Sequence, residues 1–480
     1  MTRTRSGIGG TLLDAGTRVG GQAAALIEAG GEKAIATNVT IAVTGLARAG
    51  KTVFTTALTH NLSRASALPD LLPFFGAAKD GRILGATLSN RGPAAFPLDA
   101  AMKALTGNPP DWPRPTTDVS DLSIVIDYAT RSRPWRFIAP KTSLTVNIVD
   151  YPGEWLLDLL LLNTSFADWS RETLELCRRP PRAALAQEWL AALESVDSDR
   201  PGSAQDLERL ARLYAAFLQR CSLEAGLSFL QPGRFLVPGS LADRTVIDFC
   251  PFPVADDAKA PRGSLAATLE ARYERYRREV VRPFYRRYFS RFTRQVVLVD
   301  LLTALDRGPD AWSDLRFALA RILENFHTER ARLINRLPLV GARTDKLLFA
   351  CTKADHITRN NHSNLRSLLR STVEPSAVMM MEDGAKVGYE IVSAVKSTKN
   401  VQKRQNDRTL HFIRGVPLGS SVAQDWDPGD IPDEPPKADA WPEIRITGFR
   451  PPESFDAAVA GFRSINLDRA LEFLIGDLFK

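Results

Sequence analysis

Gly45-Leu46-Ala47-Arg48-Ala49-Gly50-Lys51-Thr52 lies between a short apolar run, Val39, Ile41, Ala42 and Val43, and an apolar-periodic stretch from Val53 to Leu62. The run satisfies G-x-x-x-x-G-K-[ST], and its flanks predict strand, loop and helix in that order, the setting such a loop requires. Its chemistry follows from its backbone. Glycines at 45 and 50 let the chain turn tightly, successive N–H groups then face inward, and the helix that follows presents its positive end to an anion. Gly45, Arg48, Ala49, Gly50, Lys51, Thr52 and Val53 are therefore the candidate residues around a nucleotide's phosphates. Lys51 would bridge the β- and γ-phosphates, and Thr52 would place its hydroxyl on Mg2+.

Two strand-like runs follow, Leu122 to Tyr128 and Ser143 to Val149, and the second ends in Asp150-Tyr151-Pro152-Gly153. Downstream of a phosphate loop, this D-x-x-G puts Asp150 where it can hold Mg2+ through water and Gly153 where its amide can meet a γ-phosphate. Glu154 comes next, where Ras-like proteins place a water-orienting Gln. A carboxylate there could serve as a base, point away or mark slow hydrolysis. Ahead of the first strand, Arg114-Pro115-Thr116-Thr117 resembles the switch I of heterotrimeric Gα subunits. Arg114 is thus a candidate to stabilise charge on the transferring phosphoryl group, and Thr117 a candidate Mg2+ ligand. Arg48 competes with Arg114 for the first role, and plain solvent exposure is the third reading of both.

Lys346 to Asp355 reads as a strand closed by Thr352-Lys353-Ala354-Asp355, near the N-K-x-D element of guanine-nucleotide proteins but with Thr in place of Asn. The Asp355 carboxylate can accept from guanine N1–H and the exocyclic amine, a pairing adenine cannot offer because its N1 is an acceptor. The Lys353 stem would lie along the purine face. Ser393-Ala394-Val395 ends the next strand, as does the element whose backbone N–H meets guanine O6.

Strand character recurs at Val296 to Leu302, Lys346 to Cys351 and Tyr389 to Ala394, with helix-like segments between, which predicts a mostly parallel sheet with helices on both faces. The expected organisation is a weakly ordered leader over 1–37, a first nucleotide-domain part over 38–155 with an insert at 63–113, a large helical insert over 156–294, and a second nucleotide-domain part with the C-terminal segment over 295–480. The fold class is α/β, a GTPase-like P-loop NTPase. Residues 422–442, rich in Asp and Pro, read as loop, Ile444 to Phe449 as a late strand, and Leu467 to Phe479 as a closing helix. From Glu270 to Arg294, arginines interleave with Tyr273, Tyr276, Phe284, Tyr285, Tyr288, Phe289 and Phe292; the favoured reading is a core-facing aromatic stripe with a solvated basic side, kinked at Pro283, and a partner or lipid-headgroup surface and a nucleic-acid face are its alternatives.

The length of 480 residues, with 44% hydrophobic composition, excludes a disordered chain and suggests about two to four structural units. A net charge of +7 is too small to argue for nucleic acid, so no specific nucleic-acid partner is expected. Cys177, Cys221, Cys250 and Cys351 form no C-x-x-C pair, which points away from disulfides and zinc and towards a reducing cytoplasm. The five histidines show no ligand spacing, there is no G-x-S-x-G elbow, and no apolar run is long enough to predict a signal peptide or transmembrane segment.

The phosphate loop, the run Arg114-Pro115-Thr116-Thr117-Asp118-Val119-Ser120, the block Val149-Asp150-Tyr151-Pro152-Gly153-Glu154-Trp155-Leu156-Leu157-Asp158 and Thr352-Lys353-Ala354-Asp355 together resemble the YcjX-like family of bacterial P-loop proteins. The resemblance runs from about residue 38 to the C-terminus and rests mainly on the D-Y-P-G-E-W-L-L-D block. It implies a GTPase-type domain with a helical elaboration, GTP/GDP and Mg2+ as ligands, a link to bacterial envelope stress, a companion inner-membrane protein, and a cytoplasmic location peripheral to that membrane. The expected function is a GTP-hydrolysing switch. A binding scaffold with little turnover and an ATP-using enzyme stand as its alternatives.

Overall fold

The computed structural model describes residues 37–46, 48–90, 94–131, 140–196, 201–241, 244–254, 261–336, 345–405, 408–453 and 461–479. Apart from Thr37, the leader expected over 1–37 falls outside them. Strands β1 (Thr37–Gly45), β2 (Ile83–Ser89), β3 (Ser120–Ala129), β4 (Lys141–Asp150), β5 (Arg294–Val299), β6 (Lys346–Cys351) and β7 (Lys386–Ile391) form one sheet in the order β2-β3-β4-β1-β5-β6-β7. The five from β4 to β7 in that order are parallel, and β3 runs antiparallel to both β4 and β2. This is the expected mostly parallel α/β sheet of a P-loop protein.

Strand composition follows from what covers each face. Every residue of β5 and β6 is buried, because helices lie on both sides and a continuous apolar run is then favoured. Val296, Leu298, Leu348 and Ala350 pack with Phe54, Leu58 and Leu62 of helix Lys51–Arg64 and with Leu467, Leu471 and Leu474 of helix Leu467–Ile475. Val297, Val299, Leu347 and Phe349 face the opposite layer, which is continuous with the helical tract. β3 alternates instead: Leu122, Ile124, Ile126 and Tyr128 point into the core while Asp121 and Asp127 are exposed, the signature of a strand covered on one face only.

Residues 63–113, expected as an insert outside the sheet, contribute its edge strand β2 and helix Leu98–Leu105. The alternation that would have revealed β2 is weak in Ile-Leu-Gly-Ala-Thr-Leu-Ser because an edge strand needs only a few inward residues. Two more expectations are corrected. Ile444 to Phe449 forms no strand but a loop with one bridge, Phe449 to Pro417. A second, antiparallel sheet joins β8 (Lys399–Gln405), β9 (Arg408–Gly415) and β10 (Gln424–Trp426), so a strand begins inside the stretch read as loop.

The helical tract is built on longer helices Phe166–Cys177, Ala204–Leu223 and Leu265–Tyr276, whose starts are legible as serine caps: Ser165, Ser203 and Ser264 accept from Asp168, Asp206 and Ala267 N–H at 3.1, 3.0 and 3.2 Å. Trp169, Trp189, Tyr214, Phe249 and Tyr273 fill its interior. All four cysteines are unpaired and buried, and burial pushes the Cys177, Cys221 and Cys250 thiols up to about 12. Arg182 joins the tract to helix Pro309–Arg336. Its guanidinium donates to Asp314 at 2.5 Å and to Phe229 O at 2.9 Å, while Asp314 also accepts from Ser228 and Phe229 N–H. The aromatic stripe is core-facing as expected: Tyr273, Tyr276 and Phe284 are buried while Arg278, Arg282, Arg286 and Arg287 are exposed. The helix passes through a π turn, Arg277–Val281, before Pro283. That turn absorbs the irregularity that a proline imposes.

Candidate functional site

The carboxyl ends of β1, β4, β6 and β7 open onto a cavity of about 520 Å3, the place where an open α/β sheet leaves a crevice for ligands. Its floor is the loop after β1. Gly50 (φ 80°) and Arg48 (φ 62°) both adopt the left-handed conformation, which turns the chain sharply into helix Lys51–Arg64. No side chain caps that helix, so its first N–H groups are free for an anion. Lys51 is buried and donates to Gly45 O at 3.0 Å. Gly45 and Gly153 meet directly: a Cβ on Gly153 would stand 1.5 Å from Gly45 O, and one on Gly45 would stand 2.5 Å from Leu298 O. Only glycine fits at either position. Gly153 therefore sits against the start of the phosphate loop.

At one end of the cavity three oxygens converge. Thr116 Oγ1 donates to Asp150 Oδ2 at 2.6 Å and lies 3.0 Å from Thr52 Oγ1, which is also 3.4 Å from Arg114 O. The second Asp150 oxygen, Oδ1, is buried without a partner. Burial pushes the carboxyl up to about 6, against the Thr116 bond and the Lys51 charge. These are hard oxygen donors with one buried lone-pair set unmatched, a set that fits Mg2+ and its water ligands. Among the described residues no cluster of three or more His, Cys, Asp or Glu could hold another metal.

The threonine that joins Thr52 and Asp150 is thus Thr116, not Thr117. The pair is adjacent in sequence, and the bend of the segment between Pro115 and Val119 turns Thr116 inward and leaves Thr117 exposed at the cavity wall. Arg114 contributes its carbonyl, and its side chain is exposed. Arg48 is also exposed, and it lines the cavity together with Ala49, Val53 and Glu154.

At the other end, Asp355 is 4% exposed, and its Oδ2 accepts from Ser397 N–H and Oγ, both at 2.7 Å. That leaves the other carboxylate oxygen for a ligand. Lys353, in the left-handed conformation, donates to Asp300 Oδ2 at 2.5 Å and to Thr303 Oγ1 at 3.3 Å. Burial works to raise the Asp300 carboxyl, and the Lys353 ammonium with the Thr303 bonds outweighs it, so the group lies below its ordinary value. Thr352, Ser393, Ala394 and Val395 line the same end. The serine bonded to Asp355 is Ser397, while Ser393 donates to Val395 O at 3.1 Å. Ser397 carries no spacing signal. Its position depends on how the chain leaves β7.

The D-Y-P-G-E-W-L-L-D block joins this site to the helical tract. Tyr151 and Trp155 pack on Phe284, with ring centroids 5.4 and 5.7 Å apart. Trp155 donates to Val237 O at 2.8 Å and carries the Arg234 guanidinium 3.1 Å above its ring. Asp158, wholly buried, accepts from Tyr276 OH and Gly233 N–H, both at 2.6 Å. Ser240 N–H donates to Asp118 at 2.8 Å, so residues 231–240 touch both segments that flank the three-oxygen cluster. The sequence marks nothing there.

Burial pushes the Asp158 carboxyl up to about 6 from an ordinary 3.8, against its two hydrogen bonds. A folded value above the unfolded one means that the native state holds the proton more tightly. The contribution of this group to stability is therefore greatest below about pH 4 and is lost as pH rises through about 6. Asp158→Asn keeps an acceptor for Gly233 and removes the charge. Thermal melts between about pH 4 and 8 should fall less steeply for the variant than for the natural chain. Parallel slopes would place the titration elsewhere.

The profile of the YcjX-like family, DUF463, matches residues 39–479. A protein named Ras-like GTPase YcjX from Escherichia coli (strain K12) is 35% identical over 450 residues, covering 91% of this chain and 95% of that one. A second protein of that name, from Shewanella oneidensis, is 33% identical over 457 residues, covering 91% and 94%. With its phosphate loop, its D-Y-P-G-E-W-L-L-D block and a match spanning nearly the whole chain, this protein belongs to the YcjX-like family.

Proposed function

We propose that the cavity binds a guanine nucleoside triphosphate with Mg2+ and hydrolyses it, so that the chain works as a nucleotide-dependent switch. The observation that carries this reading is the placement of Thr52, Thr116 and Asp150 at the phosphate end of one cavity whose far end holds Asp355. The names of the two relatives support the same reading. The loop amides and Lys51 would bind the phosphates, Thr52, Thr116 and Asp150 would hold the metal directly or through water, and Gly153 N–H would face the γ-phosphate. Mg2+ would supply charge neutralisation at the β- and γ-oxygens. Asp355 would accept from the base, with Ser397 fixing its carboxylate. Loss of the γ-phosphate would release the Arg114 to Thr117 and Asp150 to Trp155 segments.

Titration of the purified chain with GTP, GDP and ATP, with and without Mg2+, is the first test. Tight, Mg2+-dependent GTP and GDP binding with weak ATP binding is expected, and equal preference for ATP would overturn the base assignment. Arg114→Ala should slow single-turnover hydrolysis about a hundredfold with little change in binding. An unchanged rate, with a fall instead in Arg48→Ala, would move the role to the loop arginine.

A second reading, a nucleotide-binding scaffold with little turnover, is favoured by Glu154, a carboxylate at the cavity wall where a water-orienting amide is usual. Multiple turnover of GTP would exclude it. The finer role, a switch acting with an inner-membrane protein under envelope stress, has the family resemblance as its support. Among the described residues no helix is long and apolar enough to cross a membrane.

A further inference from the structure

Beside the base end of the cavity lie residues that belong to none of the nucleotide motifs. Leu418 lines it yet is 55% exposed, an apolar side chain left open at the mouth. It is held there by a narrow ladder: Leu418 N–H donates to Gly448 O and Arg450 N–H to Val416 O, both at 2.8 Å, around the Pro417 to Phe449 bridge. A Cβ on Gly448 would stand 2.6 Å from Leu418 Cδ1, so glycine lets the leucine lie across the strap. Phe449 is buried and meets the ring of His356 edge-on, centroids 5.3 Å apart, directly after Asp355.

A side-chain bond ties the strap to the opposite wall. Trp112 Nε1 donates to Phe449 O at 2.7 Å, and Trp112 also lines the cavity. It precedes Arg114 and Thr116 on the same short segment, whose other end is anchored at Thr52 and Asp150. A purine presents polar edges and two apolar faces. The cavity end offers a carboxylate for an edge and apolar side chains for a face, and such apolar contact is sequence-tolerant because every base has the same kind of face.

Resting on the nucleotide reading above, we propose that Trp112, Leu418 and Phe449 form a roof over the base end of the cavity, and that the Trp112 to Phe449 hydrogen bond sets how fast a bound nucleotide leaves. The roof contributes retention, and Asp355 contributes choice of base. Because Trp112 shares its segment with Thr116, opening at the base end and loosening at the three-oxygen cluster are parts of one motion.

The test is displacement of a fluorescent N-methylanthraniloyl-GDP from the full chain by excess unlabelled GDP. Leu418→Ala, at an exposed position, and Trp112→Phe, which keeps an aromatic ring, though a smaller one, and removes the N–H, should each raise the dissociation rate about three- to tenfold. The GTP-to-ATP preference should stay within about twofold in both, whereas Asp355→Asn changes that preference. Unchanged dissociation in both variants, or a shift in base preference with no change in rate, overturns the roof while leaving the nucleotide reading in place. Failure of the natural chain to bind the probe at all overturns that reading and the roof with it.

Discussion

Lys51→Ala is expected to lower the affinity for GTP and GDP by about a thousandfold or more while leaving the chain folded. Among the described residues the ammonium's hydrogen bond is to Gly45 O at 3.0 Å, and its charge also acts on the Asp150 carboxyl, so its removal costs the fold one neutral-acceptor bond, about 1 kcal/mol, together with that attraction. Its value to a ligand is larger. Two charge-assisted bonds to phosphate oxygens in a partly dry cavity contribute about 2 kcal/mol each, which together amount to roughly a thousandfold in binding. Isothermal titration with both nucleotides, beside a thermal melt, checks the two halves of the expectation separately. Undiminished affinity in a folded variant would mean that the phosphates sit elsewhere, and the proposed chemistry would fall with them.

Asp355→Asn should collapse the preference for GTP over ATP by about a thousandfold, mostly through lost guanine affinity. The reasoning is a count of donors and acceptors. In the natural chain Oδ2 is committed to Ser397 N–H and Oγ, so the other oxygen must receive the base. An asparagine satisfies Ser397 only by turning its carbonyl that way, which aims its NH2 at guanine N1–H, donor against donor. A site built around hydrogen bonds rejects a mismatch of that kind far more strongly than an apolar pocket rejects a misfit. The same turned amide should favour xanthosine nucleotides, whose C2 carbonyl accepts. Competitive binding of GTP, ATP and XTP to both proteins measures the whole set, and an unchanged GTP preference in the variant would remove Asp355 from base recognition.

Much of the architecture was legible beforehand, for reasons that differ from element to element. β1, the phosphate loop and helix Lys51–Arg64 were readable together because apolar run, glycine pair and helical period are all local. β5 and β6 were readable because burial on both faces leaves an unbroken apolar run after the polar residues that open each strand, Arg294 and Gln295 in β5 and Lys346 in β6. β2 was not, since an edge strand carries little pattern, and neither was the β8 to β10 sheet, whose residues are largely exposed. Within the site the same division holds. Gly45, Gly50, Lys51, Thr52, Asp150, Gly153 and Asp355 stand at strand ends or motif positions; Gly50, Lys51, Thr52 and Asp355 line one cavity, Thr116 links Asp150 to Thr52, and Gly45 meets Gly153. Thr116 was passed over for its neighbour, because an offset of one residue in a turn reverses which side chain points inward. Ser397 and the Trp112, Leu418 and Phe449 group left no trace at all.

What the amino-acid order determines by itself is therefore the α/β architecture, the phosphate loop with its following helix, and the carboxylates at the two ends of the site. Each rests on interactions between residues close in the chain or on a strand's exposure, and both leave a period or a spacing behind. Only the tertiary structure decides which threonine meets Asp150, which serine holds Asp355, that residues 231–240 brace the D-Y-P-G-E-W-L-L-D block, and that Phe449 closes over a cavity opened near residue 50. Those pairings join segments that can lie hundreds of residues apart. They are fixed by the packing of loops at the sheet's carboxyl edge, where backbone geometry rather than side-chain periodicity sets who touches whom.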